Sequence, residues 1–188
     1  MIEKKLTQIE EGLKKMKAPV LGYFNAGIDI IKLEKVVKDH LNIEKVDDEI
    51  VSLYKWHDGT SVNDETSIKY FYFFSSFYLN SIEDVNFLYE HNLFQFIENK
   101  MFPLCSSGDG DHLAYEFGTK KIYCIQPWNP DFDTYVSIYD SLDSMLDTIL
   151  HCYKKGLYYI SENGLEMDFD GVWEVSQKRN PKSAFWKC

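Results

Sequence analysis

At 188 residues, 45% hydrophobic and 16% aromatic, the chain is long and apolar enough to bury one substantial core, which excludes a disordered chain. Its net charge of −10 is uneven, because residues 1–45 carry nine Lys against seven acids while the remainder carries eleven Lys or Arg against twenty-three. No cation occurs from Ile122 to Tyr153, a stretch holding Asp131, Asp133, Asp140, Asp143 and Asp147; such a surface repels nucleic acid and anionic membrane and steers a basic partner toward itself.

In chain order, Ile2, Leu6, Ile9, Leu13 and Met16 recur at four- and three-residue steps and predict an amphipathic helix over 1–17, ended by Pro19 and Gly22. A second helix is predicted from an N-cap at Asp29 to Leu41, with Ile30, Leu33, Val37, His40 and Leu41 on one side. Asp47 caps a short third helix, Asp48 and Glu49 favour its positive end, and Gly59 stops it. His57 at its close has no partner at metal-ligand spacing, so a histidine bonded to backbone is expected. The aromatic run Ile68–Leu79 reads as a buried strand with an irregular exit. Ser81 and Asp84 form a capping-box-like pair opening one long helix to about Glu98.

Strands follow at Met101–Cys105, His112–Phe117, Lys121–Gln126 and Tyr135–Tyr139. Between the first two lies Ser106-Ser107-Gly108-Asp109-Gly110-Asp111, a tight acidic turn whose aspartates can cap their own backbone. Ser141 opens the clearest helix, with Leu142, Met145, Leu146, Ile149, Leu150 and Tyr153 as its stripe and Gly156 at its end. A hairpin is expected over 157–170, turning at Glu162-Asn163-Gly164, with Leu165, Met167 and Phe169 on one side of its second strand. The tail from Lys178 is basic and carries Pro181 and Trp186.

Enzyme chemistry finds little support in these residues. Asp109-Gly110-Asp111 matches the first half of a calcium loop, but position twelve is Lys120 instead of Glu. Ser106, Ser107 and His112 lack a nucleophile elbow, and no phosphate-cradling glycine loop is present. Cys105, Cys124, Cys152 and Cys188 form no CxxC pair, so buried free thiols are expected. No catalytic residue, metal or cofactor is therefore expected. The first residues are charged throughout and no apolar run approaches membrane length, which sets cytoplasm as the expected location.

Three blocks stand in a particular order: Leu-Tyr-Lys-Trp-His-Asp-Gly at 53–59, Met-Phe-Pro-Leu-Cys-Ser-Ser-Gly-Asp-Gly-Asp-His-Leu-Ala-Tyr at 101–115, and strand 135–139 running into Ser-Leu-Asp-Ser-Met-Leu at 141–146. Together they resemble the SUKH superfamily, which groups fungal cell-wall synthesis regulators with many bacterial immunity proteins. Asp58 stands where the family usually has Asn, and Asn180-Pro181 with Trp186 looks like the ending of longer members. The resemblance implies one α+β domain over 1–188, with a mainly antiparallel sheet flanked by helices. Its core spans about 30–160, after an N-terminal helix at 1–17 and before a C-terminal extension at 161–188. It further implies that the motif residues Trp56, Gly59, Pro103, Gly108, Gly110, Tyr115 and Ser141 mark turns and core instead of a site, and that the chain binds proteins without catalysis.

The leading expectation is an immunity protein that occludes a cognate toxin of the nuclease or deaminase class. A basic toxin domain suits the acidic balance. The expected contact surface is Asp109, Asp111, Trp128, Asp131 and Asp133, an aromatic among acids, although Trp128 could equally plug the sheet end. A regulatory scaffold of the same fold is the alternative. A hydrolase built on the acidic turn and His112 is the third, and it requires a pocket of converging polar groups there.

Overall fold

The computed structural model describes residues 2–91, 94–127 and 136–187. Helix α1 (Ile2–Met16) buries Ile2, Leu6, Ile9 and Leu13, and a 3-10 turn follows at Pro19–Gly22. Helix α2 (Ile30–Leu41) starts where Asp29 accepts a hydrogen bond from the Ile31 amide, and it buries Leu33, Val37 and Leu41. Helix α3 (Asp48–Trp56) has Asp47 at its N-cap, but the Asp47 side chain makes no capping bond. The Tyr115 hydroxyl lies 2.6 Å from both the Asp47 and Glu49 carboxylates, and Lys120 pairs with Asp47 at 3.1 Å. Asp47 thus fastens the start of α3 to the sheet instead of closing its own helix. Gly59 is not the helix stop either, because α3 ends at Trp56 and His57 is already extended.

The aromatic run departs most from expectation. It holds a 3-10 turn at Ile68–Tyr70 and only a three-residue strand, β1 (Phe77–Leu79). Between them Phe71, Phe73 and Phe74 are fully buried. Phe74 and Phe77 pair across a tight turn in which Ser75 takes φ 43°, so the backbone reverses where a single strand was predicted. The predicted long helix is two: α4 (Ile82–His91) and α5 (Phe94–Glu98). The Ser81–Asp84 pair is present as predicted, each residue bonding the other's amide.

Strands β2 (Met101–Ser107), β3 (His112–Glu116), β4 (Ile122–Ile125) and β5 (Val136–Tyr139) continue an antiparallel meander with β1 at one edge. Pro103 sits at a register shift of β2, beyond the reach of β1, which pairs only with 105–107. A missing N–H costs least at such a position. On one face Phe102 meets Tyr54 of α3 edge-on at 5.4 Å; on the other, Phe96 of α5 meets His112 edge-on at 5.7 Å.

Helix α6 (Leu142–Lys155) opens with a full capping box between Ser141 and Ser144, closes on Gly156 at φ 70°, and packs along α1. Strands β6 (Tyr158–Ser161) and β7 (Gly164–Met167) form the predicted hairpin, but its second strand ends at Met167. Asp168 accepts from the Gly171 amide and starts a helix that the alternating pattern concealed, α7 (Phe169–Arg179). A last 3-10 turn at Phe185–Lys187 buries Trp186. The whole is a single α+β domain with a five-stranded antiparallel sheet and flanking helices.

Candidate interaction surface

The 53–59 block is architectural. Gly59 has φ 72°, and a Cβ there would lie 2.1 Å from the Ser81 amide nitrogen, so only glycine lets the end of α3 press against the start of α4. Asp58 accepts from the Ile82 amide at 2.8 Å, and burial raises the pKa of its carboxyl. Buried Asn80 ties the junction to the sheet, donating to the Pro103 carbonyl at 3.0 Å while its own carbonyl accepts from the Tyr54 hydroxyl at 2.8 Å. His57 meets the Asn25 carbonyl through Nδ1 at 2.9 Å, so that nitrogen carries the proton, as the backbone-bonded reading expects. Trp56 donates its Nε1–H to Glu10 on α1.

The acidic turn is built differently from the sequence expectation. The Ser107 hydroxyl, not an aspartate, accepts from the amides of Asp109 and Asp111, and the Ser107 amide bonds the Asp111 carbonyl at 2.9 Å. Gly110 takes φ 85° with open space around it. At Gly108 a Cβ would meet the Tyr72 hydroxyl at 3.0 Å and Ile68 at 3.1 Å, so a side chain there would press those neighbours outward. With the backbone already satisfied, Asp109 stands exposed, and the half-buried Asp111 carboxylate accepts from Gln126 Nε2 at 3.0 Å. Trp128, Asp131 and Asp133 lie outside the described residues, so two of the five expected surface residues are placed, side by side on this turn.

Asp111 lines the rim of a cleft of about 230 Å³ whose walls the sequence reading did not anticipate. One wall is Phe77, Ile138 and Tyr139 from the sheet; the other is Met167, Phe169 and Trp173 from β7 and α7. Trp173 meets Phe169 at 6.0 Å and Phe185 at 5.9 Å, both rings tilted against it. Trp186 anchors this wall by donating Nε1–H to the Ile138 carbonyl at 2.6 Å, and Ser183 donates to the Ser137 carbonyl at 2.7 Å. Phe169 remains 60% exposed at the mouth. A signal was present, namely an Asp cap, Phe and Trp four apart, and an Asn-Pro stop, but it was hidden behind the hairpin's alternation.

Among the described residues, Ser106, Ser107 and His112 do not meet at an open cleft. Ser106 Oγ lies 2.8 Å from His112 Nδ1, yet both are buried, and neither lines the aromatic cleft beside the turn. Burial pushes His112 down to about 4, leaving a neutral ring. Cys105, Cys124 and Cys152 are free and buried; burial pushes the Cys124 thiol up to about 12 and Cys152 to about 11, so thiolates do not form. Cys188 lies outside the described residues. Among the described residues no group of three or more His, Cys, Asp or Glu is placed to hold a metal ion, and no helix is long and apolar enough to cross a membrane.

Fold and surface together define a class: an α+β domain with a five-stranded antiparallel sheet, whose outside offers an acidic turn beside an aromatic cleft. Residues 32–148 match the model of the SMI1 / KNR4 family (SUKH-1), and the chain belongs to that family. Comparison with curated proteins gives no match. Membership supports a role in immunity or regulation exercised through protein–protein contact.

Proposed function

We propose that this chain is an immunity protein that neutralises a cognate toxin of the nuclease or deaminase class by direct contact, without catalysis. The observation that carries the reading is the exposed acidic turn at Asp109 and Asp111 standing beside an aromatic cleft, on a fold of this family. A protein of net charge −10 associates fastest with a basic partner, and a nuclease that grips phosphate presents such a surface. The interface would take in the turn and, from the undescribed stretch, Trp128, Asp131 and Asp133.

The test is co-expression with the toxin domain encoded beside the gene. Restored growth together with copurification supports the reading, and loss of both removes it. A solitary gene with no toxin neighbour supports the regulatory scaffold instead.

A further inference from the structure

The clefts on this molecule differ in the sign of what lines them. Two grooves lie beside the C-terminal half of α6: one of about 630 Å³ is cationic, with Lys15, Lys154 and Lys155, and the other, of about 510 Å³, has Lys155 beside Lys178 and Arg179, which are paired with Glu174 and Asp147. Among the described residues, no carboxylate lines either. Among the described residues, the one charged residue lining the aromatic cleft is a carboxylate, Asp111. Asp109 lies beyond it on the same turn, and Asp168 and Asp170 flank Phe169 in sequence. A cationic partner is therefore repelled by the Lys15 groove. The groove at Asp47, Asp48 and Glu49 is also acidic, but among the described residues it holds Lys45 and Lys120 and a single apolar residue, so the aromatic cleft is the acidic-rimmed site that also offers an apolar seat.

Size narrows the occupant further. At about 230 Å³ the cleft falls below the ~300 Å³ at which small-molecule sites begin, and it has room for one large apolar side chain. An exposed aromatic at the mouth of a desolvated pocket is the composition of an interface anchor. Much of the lining, from Met167 to Trp186, lies beyond residue 148, where the family match ends. The shared fold alone does not make this surface; the extension does.

We propose that the cleft closed by the C-terminal extension is the anchoring pocket for a basic protein partner, receiving one apolar side chain from a surface segment whose neighbouring Lys or Arg faces Asp111 and Asp109. The partner's identity as a toxin rests on the reading above; its chemistry does not. The experiment titrates the full chain, by calorimetry and by NMR, with three twelve-residue peptides: Lys–Leu, Glu–Leu and Lys–Ser. Only Lys–Leu binds saturably, shifting the resonances of Phe169, Trp173 and Asp111. Phe169→Ser weakens it at least tenfold, while Phe87→Ser, at an equally exposed phenylalanine on α4, leaves it unchanged. Absence of Lys–Leu binding, equal binding of Glu–Leu, or indifference to Phe169→Ser overturns the assignment. The two readings fail separately. A Phe169→Ser chain that still rescues cells as well as the natural one overturns the pocket but not immunity. A natural chain that binds Lys–Leu in the cleft yet rescues no cells leaves the pocket and removes immunity.

Discussion

Two glycines at positive φ separate what backbone angle and close approach each require. Gly110, at φ 85° with nothing within 4 Å of its imagined Cβ, needs only the left-handed angle, so Gly110→Ala costs about 1 kcal/mol. Gly59 needs the angle and also the space, because its Cβ would sit 2.1 Å from a backbone nitrogen that cannot move without shifting α4. Gly59→Ala therefore costs at least about 4 kcal/mol, at the exceptional end for one substitution. Urea denaturation of both variants decides it, and equal midpoints would refute the close-approach account. His112 makes the second residue-scale prediction. Burial lowers its pKa to about 4, whereas the unfolded chain protonates near the ordinary imidazole value of ~6.5. Between those values the unfolded state binds more protons, so stability is fully present above pH 6.5 and is lost as pH falls toward 4, by up to ~3 kcal/mol. In His112→Asn this contribution vanishes. The difference in stability between the natural chain and the variant should be flat above pH 7 and should fall across that window; a difference that stays flat throughout refutes the assignment.

Elements with a cap and a clean stripe were legible, because each signal is local: Asp29 for α2, and Ser141 through Gly156 for α6. The aromatic run 68–79 was not, because β-propensity measures fit to a half-buried surface, and here Phe71, Phe73 and Phe74 fill the core from an irregular backbone. Helix α7 was missed because Leu165, Met167 and Phe169 alternate through its start; the cap at Asp168 outweighs the alternation. The acidic turn was placed correctly but its wiring was not, since Ser107 supplies the bonds assigned to the aspartates. That difference is what frees Asp109 for contact. If Asp168 carries the start of α7, Asp168→Ala removes a cap worth about 1 kcal/mol and lowers the melting temperature by about 3 °C. A calorimetric scan showing no change would mean that packing of Trp173 alone sets this helix.

At the scale of the whole molecule, the question is whether the C-terminal extension is part of the domain or an appendage laid upon it. The contacts favour integration. Trp186 is 7% exposed, packs against Tyr139, Trp173 and Phe185, and bonds the backbone of β5. Fully buried Asn180 donates to Thr148 of α6, and Arg179 pairs with Asp147 of the same helix. The extension is thus bolted to the sheet edge and to α6, which themselves lie in the family core or straddle its end at residue 148. Trp186→Ala then removes a bolt from the common structure, at a cost of about 3–5 kcal/mol and about 10 °C in melting temperature. Trp186→Phe keeps most of the packing and loses chiefly the indole hydrogen bond, about 1 kcal/mol. Both variants should melt in one cooperative transition, because a small domain with one core unfolds as a unit. Two separate transitions in Trp186→Ala, with the upper one unchanged, would make the extension an appendage and the aromatic cleft a loose seam instead of a rigid anchor.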